Sequence, residues 1–198
     1  MKIAELAGRL NSHNTGNVPL PPLIMVTDIM RFPDPFSAAK KLPIDSAILL
    51  RDYNLNNRDK VALRLANFLK PMKVKLLIAG DPKLAIKVGA DGIHFPEKLI
   101  DEVHRWRYRK NWTITVSAHS QIALKKAEMS GADAALLSPV FKTSSHPNTR
   151  PLGISRFSAL AHNSKIPVYA MGGINNENAH LLINSPAVGI AAITALYT

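Results

Sequence analysis

The sequence predicts an α/β fold, a single-domain (β/α)8 TIM barrel with a short N-terminal helical extension. Three observations lead there. Eight short apolar runs of strand length lie between residues 23 and 191, and most are followed by a stretch of helical spacing. The runs lack a clean apolar and polar alternation, as expected when helices cover a parallel sheet whose other face fills a barrel. Near the carboxyl end, two strands run straight into glycines or a helix start, and barrels of this class hold phosphate after strands seven and eight.

Residues 2–12 can form one amphipathic helix, and 14–22, rich in Asn, Gly and Pro, link it to the first strand. The chain thus divides into 1–22, helix and linker, and 23–198, the barrel. Strands are expected at 23–27, 46–51, 74–78, 92–94, 113–117, 134–137, 166–171 and 187–191. Helices are expected at 33–41, 57–69, 82–88, 97–109 and 121–129, and at 175–183 behind Asn175 as N-cap; 192–195 resemble the first turn of another. A faint repeat supports the count: Val88-Gly89-Ala90-Asp91 and Ser130-Gly131-Ala132-Asp133 each join a helical stretch to a strand, with glycine ending the helix. About 200 residues is the lower limit for such a barrel, so connections must be short. Residues 140–150, Val-Phe-Lys-Thr-Ser-Ser-His-Pro-Asn-Thr-Arg, break that rule with a polar loop after the sixth strand, and long loops on that face commonly carry function.

With 198 residues, 46% hydrophobic, the chain can bury one full core. Without cysteine it forms neither disulfides nor thiolate metal sites. No stretch approaches the ~20 apolar residues of a membrane span, and the charged amino terminus lacks a signal-peptide core, so the expected location is cytoplasmic, away from membranes. The 25 Lys and Arg against 14 Asp and Glu leave a net charge of +11, which favours anionic partners. The expected partners are phosphorylated small molecules, and the sequence leaves room for a homo-oligomer. His104-Arg-Trp-Arg-Tyr-Arg-Lys110 interleaves cations and aromatics as single-strand nucleic-acid platforms do, yet it also fits a helix end with Trp106 turned inward. Nucleic acid is therefore not the expected partner.

The carboxyl ends of the strands gather Thr27, Asp28, Arg51, Asp52, Gly80, Asp81, His94, Ser117 and His119 around one mouth, with the 143–146 loop and Gly172-Gly173. This set suits anions and offers no nucleophile beside an activating base. Arg51 can clamp a phosphate or pair with Asp52. Asp81 can hold Mg²⁺ or cap the helix at Pro82. His119 is an acid/base candidate, and His94 is expected buried and hydrogen-bonded. Gly173→Asp is expected to repel a bound phosphate while leaving the barrel folded.

From residue 23 to 196 the chain resembles the thiamine phosphate synthase and TenI family. The resemblance rests on Val26-Thr27-Asp28, Val88-Gly-Ala-Asp-Gly-Ile-His94, Val116-Ser117-Ala-His119-Ser120, Gly131-Ala-Asp133 with Ser138-Pro139-Val-Phe141-Lys-Thr143, and Ile166-Pro-Val-Tyr-Ala-Met-Gly-Gly-Ile174 with Gly189-Ile-Ala-Ala-Ile-Thr194. It implies a (β/α)8 barrel that joins a hydroxymethylpyrimidine diphosphate to a thiazole phosphate, with Mg²⁺-assisted loss of pyrophosphate. In that reading Arg51 binds pyrophosphate, Asp81 is a metal carboxylate, and Ser117 lines the pyrimidine pocket. Thr143 and Ser145 supply loop hydroxyls, and Gly172, Gly173, Ile193 and Thr194 cradle the thiazole phosphate. The chain departs from the pattern at Leu49 and Tyr53 (Gln and Lys in the family), Gly80 (Asn), His146 (Lys), and in residues 95–99, which lack the second metal carboxylate. Two alternatives stay open. A TenI-type thiazole tautomerase carries a histidine at the position of Pro139, so His119 or His146 would substitute; the other alternative is a non-catalytic binder of thiazole phosphate.

Overall fold

The computed structural model describes residues 2–16, 18–143 and 149–193. Eight strands close a parallel barrel in sequence order: β1 (Leu23–Val26), β2 (Ala47–Leu50), β3 (Lys75–Ala79), β4 (Gly92–Phe95), β5 (Thr113–Ala118), β6 (Ala134–Leu137), β7 (Val168–Met171) and β8 (Gly189–Ala192). β8 returns to β1 in register, with Ile24 beside Ala191. The apolar runs conceal an alternation that closure reveals. Ile24, Val26, Leu49, Leu77, Ala79, Leu136, Tyr169 and Ala191 fill the interior, while Leu23, Met25, Ile48, Ile78, Ile93 and Ile114 face the helices. On β4 and β5 that outward alternation leaves Gly92, His94, Thr115 and Ser117 for the interior, so this side of the barrel is polar toward its mouth.

The helices are α1 (Ile3–Asn14), α2 (Pro35–Ala39), α3 (Arg58–Leu69), α4 (Pro82–Val88), α5 (Gln121–Ser130) and α6 (Gly153–His162). α1 buries Leu6, Ala7 and Leu10. Its Asn11 and Asn14 amides donate to the carbonyls of Leu20, Val188, Ser185 and Ala187, which ties the helix to the amino-terminal edge of β8. The repeat has a mechanical basis. Gly89 and Gly131 cap α4 and α5 in the left-handed region, and the Asp91 and Asp133 carboxylates accept from the N–H groups of Leu76 (2.8 Å) and Ile114 (2.7 Å) on the preceding strands.

Three segments differ from expectation. α6 follows the expected 140–150 loop in a stretch to which no element was assigned, burying Phe157 and Ala161. The helix expected at 97–109 is a 3-10 helix, Glu97–Trp106, bent at Leu99. That expected at 175–183 shortens to a 3-10 turn, Ala179–Leu182, although Asn175 Oδ1 does accept from Glu177 N and Asn178 N (2.9 and 3.0 Å), as an N-cap would. Residues 194–195 of the further turn lie outside the described residues. Among the described residues no helix is long and apolar enough to cross a membrane. In the basic aromatic stretch Trp106 packs on the core and stacks on Trp112 at 5.9 Å, with the Arg109 guanidinium over Trp112 at 4.7 Å, while Tyr108 stays 67% exposed.

Candidate active site

Parallel strands put every carboxyl end at one mouth, and the candidate residues separate there into three groups. After β6, β7 and β8, Thr143, Gly172, Gly173 and Ile193 line one cavity of about 50 Å³ together with Met171, Ile174 and Ala192. The glycines serve the chain itself first. A Cβ at Gly173 would lie 2.3 Å from the Lys142 carbonyl oxygen, and one at Gly172 would lie 2.8 Å from Pro139 Cα; both residues have positive φ. The post-β6 segment thus crosses directly on the two glycines, where Phe141 N–H donates to Gly172 O (3.0 Å) and Val140 N–H to Met171 O (2.9 Å). Gly173→Asp is consequently not the mild change expected from sequence, because any side chain there meets backbone. Asn178, which sequence reasoning missed, fixes the far side by donating from its amide to Gly173 O at 2.8 Å. Its signal was the Asn-Asn-Glu-Asn run at 175–178. Ser145, His146 and Thr194 lie outside the described residues.

The second group follows β1 to β3. The buried Thr27 hydroxyl accepts from Arg51 N–H at 3.1 Å and donates to Asp52 Oδ2, while Asp52 Oδ1 accepts from Ile29 N–H at 2.8 Å. Asp52 is thereby committed to the Thr27 hydroxyl and the Ile29 backbone N–H and leaves Arg51 alone. The ion-pair partner of Arg51 is Asp28 instead, at 3.1 Å, and Asp28 also accepts from Arg31 at 2.6 Å. Burial alone would raise the Asp28 carboxyl, but the hydrogen bonds and charge of Arg31, helped by Arg51, hold it below the usual carboxylate range. Arg51 stands on the wall of a cavity of about 250 Å³ lined also by Ile29, Met30, Tyr53 and Leu55. Asp81 caps α4, accepting from Leu84 N–H at 2.9 Å. Near it the half-buried Arg58 donates to the last carbonyls of β2 and β3, Leu50 O (3.0 Å) and Ala79 O (2.7 Å), with its guanidinium 5.5 Å from the Tyr53 ring centroid. The Tyr53 ring in turn covers Gly80, where a Cβ would lie 3.0 Å from its Cε1. Two departures from the family pattern, at 53 and 80, are therefore one packing decision.

The third group joins β4 and β5. His94, 4% exposed, has Nδ1 2.9 Å from Thr115 Oγ1 and Nε2 2.8 Å from Ser117 Oγ. Burial pushes its imidazole down to about 3, so it is neutral near pH 7, donating through one nitrogen and accepting through the other. His119 lies exposed on the rim. Its Nδ1 is 2.9 Å from the Ser138 carbonyl oxygen, which can only accept, so Nδ1 carries the proton and Nε2 presents a lone pair when the ring is neutral.

Among the described residues no group of three or more His, Asp or Glu side chains is arranged to hold a metal. Asp81, with one oxygen committed to its cap, suits Mg²⁺ only within a set completed by water and substrate phosphate oxygens, which is how that ion is commonly bound.

The model of the family described as thiamine monophosphate synthase (TMP-TENI) matches residues 37–196. The chain belongs to the thiamine-phosphate synthase and TenI family. A relative from Aquifex aeolicus, named provisionally as thiamine-phosphate synthase 2, is 35% identical over 180 residues, 88% of this chain and 97% of its own. The thiamine-phosphate synthase of Coprothermobacter proteolyticus is 30% identical over 76% of this chain and 73% of its own. Among solved structures, a thiamine phosphate pyrophosphorylase from Pyrococcus furiosus superposes with a TM-score of 0.76 at 25% identity, covering 88% of this chain and 86% of that one. The protein is thus a TIM-barrel enzyme related to the thiamine-phosphate synthases.

Proposed function

We propose that this enzyme couples hydroxymethylpyrimidine diphosphate to thiazole phosphate and releases pyrophosphate. The observation that supports the reading is the gathering at one mouth of two groups suited to anions, with only β1 between their strands. One is the cavity of Thr143, Gly172, Gly173 and Ile193, and the other is Arg51. The C–O bond of the diphosphate ester breaks with its electron pair going to pyrophosphate, and the thiazole nitrogen then forms the C–N bond. The protein contributes position and charge to this reaction: Arg51 offsets the charge of the departing diphosphate, and the post-β7 cradle, with the Thr143 hydroxyl on its wall, holds the nucleophile's phosphate. Neutral His94 orients the Ser117 hydroxyl toward the pyrimidine. Asp81 would hold Mg²⁺ together with diphosphate oxygens, and bound Mg²⁺ would supply further charge for the leaving group.

The test is direct. Purified protein with Mg²⁺ and both phosphorylated precursors should form thiamine phosphate, read by chromatography; folded protein giving no product above the uncatalysed background overturns the assignment. One observation favours a second reading, a TenI-type thiazole tautomerase. Nδ1–H of His119 is held by Ser138 O, which leaves Nε2 as a base at the mouth. Isomerisation of a thiazole carboxylate phosphate, lost in His119→Gln and unaffected by chelator, would select that reading.

A further inference from the structure

The one carboxylate that holds the Arg51 guanidinium among the described residues is Asp28, and the arrangement around it is asymmetric. Arg31 grips Asp28 with Nε and Nη2, each at 2.6 Å from Oδ2, and its backbone N–H reaches Oδ1 at 3.3 Å. Arg51 reaches the same oxygen through Nη2 alone, at 3.1 Å. The Asp28 side chain is 13% exposed and that of Arg51 31%, so solvent reaches the cation more freely than its partner. Arg51 can therefore let go without leaving a buried carboxylate unpaired, because Arg31 keeps it. Asp52 does not compete, since Thr27 and Ile29 take its two oxygens.

We infer that Asp28 is a resident competitor for Arg51, which an incoming diphosphate must displace and which retakes the guanidinium to help expel the pyrophosphate product. The inference rests on reading Arg51 as the diphosphate-binding cation. Its physical content is a bias against the bound state. The fraction of protein with Arg51 paired to Asp28 lowers the apparent affinity for any anion there, and the Asp28 charge repels whatever anion binds. A site that must release a highly charged product in every cycle benefits from such a limit.

The experiment is calorimetric titration with inorganic pyrophosphate, in chelator, of parent, Asp28→Asn, Arg51→Ala and the double variant, with circular dichroism to establish folding. Asp28→Asn should tighten pyrophosphate binding about fivefold to tenfold, the order expected from freeing a partly exposed ion-paired cation and removing one nearby negative charge. The same change in the Arg51→Ala background should tighten binding no more than about twofold, the part that the lost negative charge contributes by itself, since the competition acts through Arg51. Equal tightening in both backgrounds would mean a general field effect, and no tightening in the parent would mean no competition; either overturns the inference. Binding absent from both parent and Asp28→Asn overturns it as well. Should Asp28→Asn not fold, Arg31→Gln serves with the opposite sign. It leaves Asp28 to Arg51 alone and should weaken binding a fewfold in the parent and not in Arg51→Ala. Because the probe is product alone, failure to form thiamine phosphate would leave a positive cycle standing and count only against the coupling reaction.

Discussion

Replacing Gly173 by alanine tests whether the cradle is built by a close approach of the chain to itself. The residue has φ +68, where an L side chain costs ~1–2 kcal/mol. The added Cβ would also lie 2.3 Å from Lys142 O and 2.7 Å from Phe141 O. Both obstacles are backbone, so relief requires moving the post-β6 segment off its bonds to Met171 O and Gly172 O, with an overpacking cost of ~1–3 kcal/mol. The sum, ~2–5 kcal/mol, is a large part of a domain's typical ~5–15 kcal/mol. Gly89→Ala separates the two contributions, because Gly89 has φ +65 but nothing within 4 Å of the place a Cβ would take. Urea denaturation of parent and both variants supplies the comparison. Gly173→Ala should lose ~1–3 kcal/mol more than Gly89→Ala. If the two cost the same, the close approach does not exist and the account of the cradle is wrong.

Two further outcomes are expected. His94 has a folded-state pKa of about 3, lowered by burial from the ordinary imidazole range; the unfolded chain therefore binds the extra proton between roughly pH 6.5 and 3, and the stability from burying neutral imidazole is complete above that window and lost as pH falls through it. Between pH 7 and 5 the parent should lose ~2 kcal/mol more unfolding free energy than His94→Gln, and parallel pH profiles would show that His94 is protonated in the native state. Arg51→Ala should lower coupling turnover by ~10²–10³-fold while changing thiazole phosphate affinity less than about twofold; weakening of both together would place the two anions in one site.

Much of the barrel was legible in the sequence because its strands are buried on both faces, which makes each an apolar run whatever its neighbours. The helix-ending glycines of the repeat were equally legible, since capping depends on local chain geometry, whereas the Asp91 and Asp133 bonds to strand residues 15 and 19 positions back form only once the sheet is assembled. α6 was missed although Ile154, Phe157, Leu160 and Ala161 have helical spacing, for no element was assigned to the stretch between the polar loop and β7. Periodicity and the single direction of parallel strands are properties of the chain alone, and they specify the elements and the gathering of hydroxyls, cations and glycines at strand ends. The choice of partners depends on the closed barrel. Arg51 turns from its neighbour Asp52 to Asp28, 23 residues away, because the Thr27 hydroxyl and Ile29 amide already hold Asp52. Tyr53 and Gly80 differ from the family pattern together because one ring fills the space of both. The tandem glycines, read as an opening for a ligand, first admit the backbone of Phe141 and Lys142, since closing the barrel brings that segment across them.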